Sequence, residues 1–441
     1  GYDITFTRFN KYIVEGETEI FDAGLQSDAN YTSGNIDKNK EQQNLQKLKK
    51  YLQDHATDSN GNLIVFQAGS GRLSLLNAPG AGFREAGIAQ ITGTRGGSFS
   101  RPVDINGGIT YENSTANQNV GARGIQLIDY TDPTWVNGIS PGDSGSGFYI
   151  YDKTKQKWLL LGVTSKADLV GQGSSGIAVA TKADFEKFKK ENAWELDLQG
   201  SQNWTFEKPQ GASAEFKNNG SNSKILTQNK DIVFSNGGSI DVKANMDLLV
   251  NSVGGLVFKA KQNNGSSETI YKITSNGTNG NKPFGFNGSG LDIEENVKVE
   301  WGLGFMGPDQ AGKNDRRGVN DALHKVGKGT LVIKTQYTQA PDDSKYGYLR
   351  VGDGKVVFDT DTQAFNGVYL TSGRGTLELV NGKAQAFGAV KDPSQLDSKL
   401  PNHFILEQKD RDSLGIYFGN GGGNLDLKGN SLTLNAISSN D

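Results

Sequence analysis

The sequence predicts an all-β protein in two parts, a barrel or sandwich domain followed by a right-handed parallel β-helix. Three observations lead there. Short apolar segments separated by glycine-rich turns fill the first part, and helical periodicity is scarce. From about residue 225 the texture changes to short alternating units, most of them opening on a glycine. Those units recur within the roughly 20–50 residue period of a solenoid.

The elements follow in order. Residues 1–14 set Ile4, Phe6, Phe9, Tyr12 and Ile13 against Arg8 and Lys11, and read as a strand running into a turn with Asp3 at its head. Over 38–54, Leu45, Leu48 and Leu52 recur at helical spacing in a charged field. A solvated amphipathic helix is expected, stopped by Asp58, Gly61 and Asn62. Short strands are expected at 63–66, 71–76, 88–92, 124–128, 147–151 and 158–164. Residues 176–180 then precede a polar helix over 182–192.

The first domain is therefore expected to cover 1–195, with a connecting segment over 196–225 and the solenoid over 226–441. Its units are 238–242, 290–293, 329–333, 354–358, 375–379, 423–427 and 430–434. Gly329, Gly354 and Gly375 are spaced by 25 and 21 residues, and Gly423 follows after 48, about two repeats. One strand pattern per repeat lets each rung cover the next. An irregular β-sandwich is the alternative reading of the same units. No polar cap is evident before Asp441, so the solenoid is expected to extend beyond this chain.

Composition narrows the function. The 46 basic residues nearly balance the 49 acidic ones, so there is no basic excess to neutralise phosphates or to hold an anionic membrane surface. No apolar run approaches the ~20 residues that span a bilayer. With no cysteine, neither a disulfide framework nor a cysteine-bearing zinc site is possible, and a bacterial exported chain is well served. The glycines at 69–72 and 302–305 are turn glycines, too short to cradle a nucleotide. No metal or cofactor is expected. The chain opens at Gly1 on a strand-like run without initiator methionine or leader, so a piece of a longer chain is expected.

One stretch carries chemistry: Ser140-Pro141-Gly142-Asp143-Ser144-Gly145-Ser146. Small neighbours let a serine sit on a tight turn and let backbone approach a substrate carbonyl. The amides of Ser144 and Gly142 would then face the oxyanion of an acyl-transfer intermediate. An ordinary hairpin loop has the same composition, and Asp3 alone reads equally as a residue capping its own turn.

Several stretches together resemble the serine-protease autotransporters of Gram-negative bacteria, the group of the IgA1-type and enterobacterial secreted proteases. Residues 1–14 are similar to the segment with the family's catalytic aspartate. Residues 142–146, followed by 148–152 and 156–162, resemble its nucleophile region. Residues 323–331, 349–357, 372–377 and 416–427 occur in the order of the family's β-helix. Departures are Gly147 where the family usually has proline, Phe9 where it has leucine, and the 38–54 tract, a candidate insertion.

The resemblance implies a chymotrypsin-like double β-barrel, partial in this chain, seated on a β-helix stalk. It implies Ser144 as nucleophile and Asp3 as the acid orienting a histidine that, in the chymotrypsin order, precedes Asp3 and so lies upstream of Gly1. Without that histidine the chain itself is expected to be nearly inactive. His55 paired with an acid such as Asp104 is the alternative base, although a solvated surface role fits His55 better; His324 and His403 are expected on the solenoid surface. Gly138, at the base of the S1 pocket, offers no carboxylate to an arginine or lysine side chain. The implied function is a secreted endopeptidase, outside the cell or at its surface, acting as a monomer on host proteins after export through a β-barrel translocator of the same precursor. A non-enzymatic adhesin using the β-helix surface is the alternative.

Overall fold

The computed structural model describes residues 6–9, 11–14, 18–26, 38–57, 59, 62–63, 65–68, 103–104, 109–111, 124–128, 147–166, 174–179, 181–208, 214–218, 222–225, 230–247, 254–262, 267–276, 278–279, 282–305, 321–335, 348–360, 362–363, 365, 367–380, 386–387, 415–432 and 436–439. The chain divides into two compact units. One contains Gly1–Thr7 and Thr18–Glu191; the other contains Arg8–Glu17 and Asn192–Asp441.

In the N-terminal unit six antiparallel strands form one sheet. Its order is Val65–Ala68, Gly147–Asp152, Lys157–Lys166, Ser174–Val179, Gly124–Ile128 and Ile109–Tyr111. Helix α1 (Lys38–His55) packs on the same core: Leu48 and Leu52 are buried with Phe21, Phe148, Ile150 and Leu159. The amphipathic helix thus drives one face into the core, where Leu48 and Leu52 fall four residues apart on one stripe. Buried Asn44 fastens the preceding segment to it, accepting from the Gln26 amide at 2.9 Å and donating to the Gln26 carbonyl at 3.2 Å.

The solenoid unit is a parallel β-helix. Each coil passes from a nine-stranded sheet to a ten-stranded sheet, as in Tyr348–Val351 followed by Gly354–Phe358. Several coils add a short third strand, such as Met246–Asp247, Gly285–Asn287 and Gly304–Phe305, which pair parallel with one another. Alternation places every second side chain inside, so Val299 and Trp301 stack on Leu331 and Ile333 in the next coil. Phe206, Phe216, Phe234, Phe258 and Tyr271 form a continuous aromatic chain, with successive ring centroids 5.1 to 5.6 Å apart. Such pairs add about 0.5–1.5 kcal/mol each beyond their burial.

Three sequence expectations differ from this arrangement. The solenoid sheet already includes Ala193–Asp197, and the segment read as a connector supplies Trp204–Glu207, Glu215–Asn218 and Asn222–Ile225 to the ten-stranded sheet. The last two pair antiparallel and cover one end of the stack. Residues 430–432 form no strand; Asn430 instead closes a turn, donating from its side chain to the Leu427 and Val380 carbonyls. Residues 6–9 and 11–14 form no strand either. Arg8–Glu17 belongs to the solenoid unit, and its described residues 8–9 and 11–14 act as a strap, bonding Asp231, Gly288, Ser289 and His324.

Candidate active site

Asp3, Gly138, Gly142, Ser144 and His403 lie outside the described residues, and Asp104 is placed only by its backbone in the two-residue strand Val103–Asp104. What is described is the frame around the first four. Three residues after Ser144 begins the strand Gly147–Asp152, paired on one side with Val65–Ala68 and on the other with Lys157–Lys166. Phe148 and Ile150 on its inner face are fully buried. A turn leading into such a strand inherits a fixed end.

Gly147 has a local reason. The Tyr149 ring folds back over it, and a Cβ built there would lie 2.6–2.8 Å from ring atoms. A side chain at position 147 would need that same space and would displace the Tyr149 ring.

The far end of the strand is also locked. Buried Asp152 accepts from the Thr154 and Lys155 amides, both at 2.9 Å, and from the Tyr51 hydroxyl at 2.5 Å. Burial alone would raise the Asp152 carboxyl, but the hydrogen bonds from Tyr51, Lys155 and Thr154 outweigh it and hold the group below the usual carboxylate range. His55 belongs to this cluster. Its Nδ1 is 2.9 Å from the Thr154 hydroxyl, its ring lies 4.8 Å from that of Tyr51, and its carbonyl accepts from the Lys153 amide. That is how a helix end is fastened to a turn.

The segment after Asp3 is anchored in the same unit. Phe6 packs its ring 5.5 Å from both Phe185 and Phe188 of helix α2 (Lys182–Glu191). The capping residue Thr181 and the first-turn Asp184 exchange hydrogen bonds, the Asp184 amide donating to the Thr181 hydroxyl at 3.1 Å. Thr181→Ala is expected to cost about 1 kcal/mol of stability in the N-terminal unit, read as a shifted urea midpoint at constant slope.

Residues 1–184 match the immunoglobulin A1 protease family, peptidase S6. Over 445 residues the chain is 27% identical to the serine protease EspP of Escherichia coli, covering 100% of this chain and 26% of that protein. Over 448 residues it is 26% identical to the serine protease pet autotransporter of Escherichia coli O44:H18, covering 100% and 27%. This chain is similar in sequence to serine protease autotransporters. It spans about a quarter of the length of these curated relatives. Its fold is also that of a solved autotransporter passenger domain, the plasmid encoded toxin of enteroaggregative E. coli. The TM-score is 0.58 at 24% identity, over 98% of this chain and 35% of that one. No helix among the described residues is long and apolar enough to cross a membrane.

Sequence reasoning missed two buried groups in the solenoid. His324, expected on the surface, is buried and donates from Nδ1 to the Tyr12 carbonyl at 2.6 Å. Lys325 is fully buried beside it and donates to three carbonyls. The alternation that buries Leu323 would have turned His324 outward; nothing in the sequence says that the strap covers that face.

Proposed function

We propose that the chain is part of a secreted autotransporter passenger whose N-terminal unit hydrolyses peptide bonds through an acyl-enzyme. The observation that supports this most is the strand Gly147–Asp152, paired on both sides with its inner face buried, which directly follows the Gly142–Ser146 sequence within the residues matched to the immunoglobulin A1 proteases. Ser144 Oγ attacks the scissile carbonyl carbon. A histidine takes the hydroxyl proton and passes it to the leaving amine as the C–N bond breaks, and water then frees the acyl group. Asp3 holds that histidine's tautomer, and the Gly142 and Ser144 amides receive the oxyanion.

The histidine is proposed to precede Asp3 in the full protein. His55 is held by Thr154 and Tyr51, and His324 is buried in the solenoid unit. Gly138 leaves the base of the specificity pocket without a carboxylate, so cleavage after arginine or lysine is disfavoured. The substrate is a host protein met outside the cell or at its surface, and the translocating β-barrel belongs to the same precursor.

The test is fluorophosphonate labelling of the full-length secreted protein beside its Ser144→Ala variant. Labelling of wild type that is absent from the variant supports an activated serine. A folded wild type that takes no label overturns the protease reading and favours adhesion.

A further inference from the structure

Within the solenoid unit each coil hydrogen-bonds the coils on either side of it: the Ile232 amide donates to the Gly255 carbonyl at 2.9 Å, and the Leu256 amide to the Gly290 carbonyl at 3.0 Å. A stack held only by such nearest-neighbour contacts can open one coil at a time. The strap breaks that pattern. The Arg8 guanidinium donates to the Asp231 carboxylate at 2.7 Å, and Asp231 is itself held by the Gly255 amide at 2.8 Å. Lys11 Nζ donates to the Gly288 carbonyl and the Tyr12 amide to the Ser289 carbonyl, both at 2.8 Å. His324 donates from Nδ1 to the Tyr12 carbonyl at 2.6 Å.

Glycines make room for the strap. A Cβ built on Gly255 would lie 2.5 Å from Tyr12 Cζ, and one on Gly290 2.9 Å from Tyr12 Cδ2, so the ring lies across two successive coils. A Cβ on Gly352 would lie 2.9 Å from Val14 Cα, and Val14 is buried there. Asp231, Gly255, Gly288–Ser289, His324 and Gly352 sit in or beside five successive strands of the nine-stranded sheet. Four strand spacings of ~4.8 Å separate the first from the last, roughly 19 Å, which is too far for direct contact. Six residue steps of ~3.4 Å from Arg8 to Val14 reach roughly 20 Å. The strap therefore crosses with almost no slack.

We propose that residues 8–14 staple the coils from Asp231–Ser235 to Tyr348–Val351 into one cooperative unit that opens together rather than coil by coil. The conformational entropy lost in ordering the strap is lost once, whereas contacts in all five coils offset it. A taut strap cannot follow one coil out of the stack without releasing an anchor in another. Loss of one contact therefore weakens the hold on coils that it does not touch. The strap also comes from far away in the chain: 223 residues separate Arg8 from Asp231, and 312 separate Tyr12 from His324. These coils reach full stability only when the N-terminal segment lies across them. The role rests on contacts within the solenoid unit and not on the chemistry of Ser144.

The experiment is native-state hydrogen exchange on the full-length protein, read strand by strand by mass spectrometry, for wild type, Arg8→Ala and Val14→Ala. Arg8 touches the first of the five coils and Val14 the last. In each variant the amides of all five strands are expected to exchange about tenfold faster, by a similar factor at both ends. Gly415–Phe418, two strands beyond Tyr348–Val351 in the same sheet, should keep its wild-type rate within about twofold. Coupling is reciprocal, so Arg8→Ala must speed exchange in Tyr348–Val351 and Val14→Ala must speed it in Asp231–Ser235. Faster exchange confined to the coil that the substituted residue touches overturns the proposal, because the strap is then a series of independent contacts. An equal increase at Gly415–Phe418 also overturns it, since the cooperative unit then does not end where the strap ends. So does wild-type exchange throughout in both variants. If Val14→Ala does not fold, Arg8→Ala read at Tyr348–Val351 carries the same test.

Discussion

Asp3→Asn in the full-length protein is expected to lower the rate of acyl-enzyme formation about 10⁴-fold while leaving substrate binding nearly unchanged. In the proposed triad the Asp3 carboxylate would accept the Nδ1–H of the histidine and so leave Nε2 free to take the proton of Ser144. An amide presents an NH2 group as readily as its oxygen, and the imidazole then settles in the tautomer with Nδ1 as acceptor. Nε2 now carries hydrogen and cannot act as a base. Steady-state kcat and KM on a peptide substrate separate the effects: kcat collapses and KM stays within a few fold. A rate within tenfold of wild type would remove Asp3 from the mechanism.

The second large effect lies in the solenoid. Lys325→Met is expected to destabilise that unit by on the order of 4 kcal/mol, measured as a lowered urea midpoint. Lys325 is fully buried, and its three ammonium hydrogens meet three carbonyls: Gly327 at 2.5 Å, and Gly329 and Asp353 at 2.6 Å each. These carbonyls lie on the corners of two successive coils, so one side chain ties the corners together. Methionine fills similar space but leaves three buried acceptors without a donor. Loss of well under 1 kcal/mol would mean that the corners satisfy themselves in another way.

The same lysine gives a pH dependence. Burial pushes its ammonium down to about 7, against the pull of the Asp353 and Asp292 carboxylates, whereas the unfolded chain has a lysine near ~10.4. Between those values the unfolded chain binds a proton that the folded chain has released. Stability therefore rises with pH across that window, by at most about 1.4 kcal/mol per pH unit, and levels off outside it. Urea midpoints from pH 7 to pH 10 should climb less in Lys325→Met than in wild type. Parallel curves would show that the three carbonyls keep the lysine charged throughout.

Much of the architecture could be read from residues alone. The units at 238–242, 354–358 and 375–379 coincide with strands, because a coil of a β-helix must alternate in and out and must turn at small residues. Those units show mainly one sheet of the helix. Strands of the other sheet, such as Asp231–Ser235 and Gly367–Leu370, were not singled out as repeats. The last is buried at all four positions, which leaves no polar alternation to see.

What the sequence by itself determined was the class of fold, the change of texture near residue 225, and the apolar strand that follows the serine-bearing stretch. Each is local, set by periodicity, small residues and spacing within a few tens of positions. The tertiary structure alone decided that residues 8–14 cross five coils instead of forming a strand, that His324 and Lys325 are buried, and that Tyr149 occupies the space over Gly147. Those facts depend on surfaces up to 312 residues apart meeting, as Tyr12 and His324 do. A polar residue on an outward position carries no mark of what will cover it. Its burial becomes favourable only once a distant carbonyl or carboxylate arrives to satisfy it.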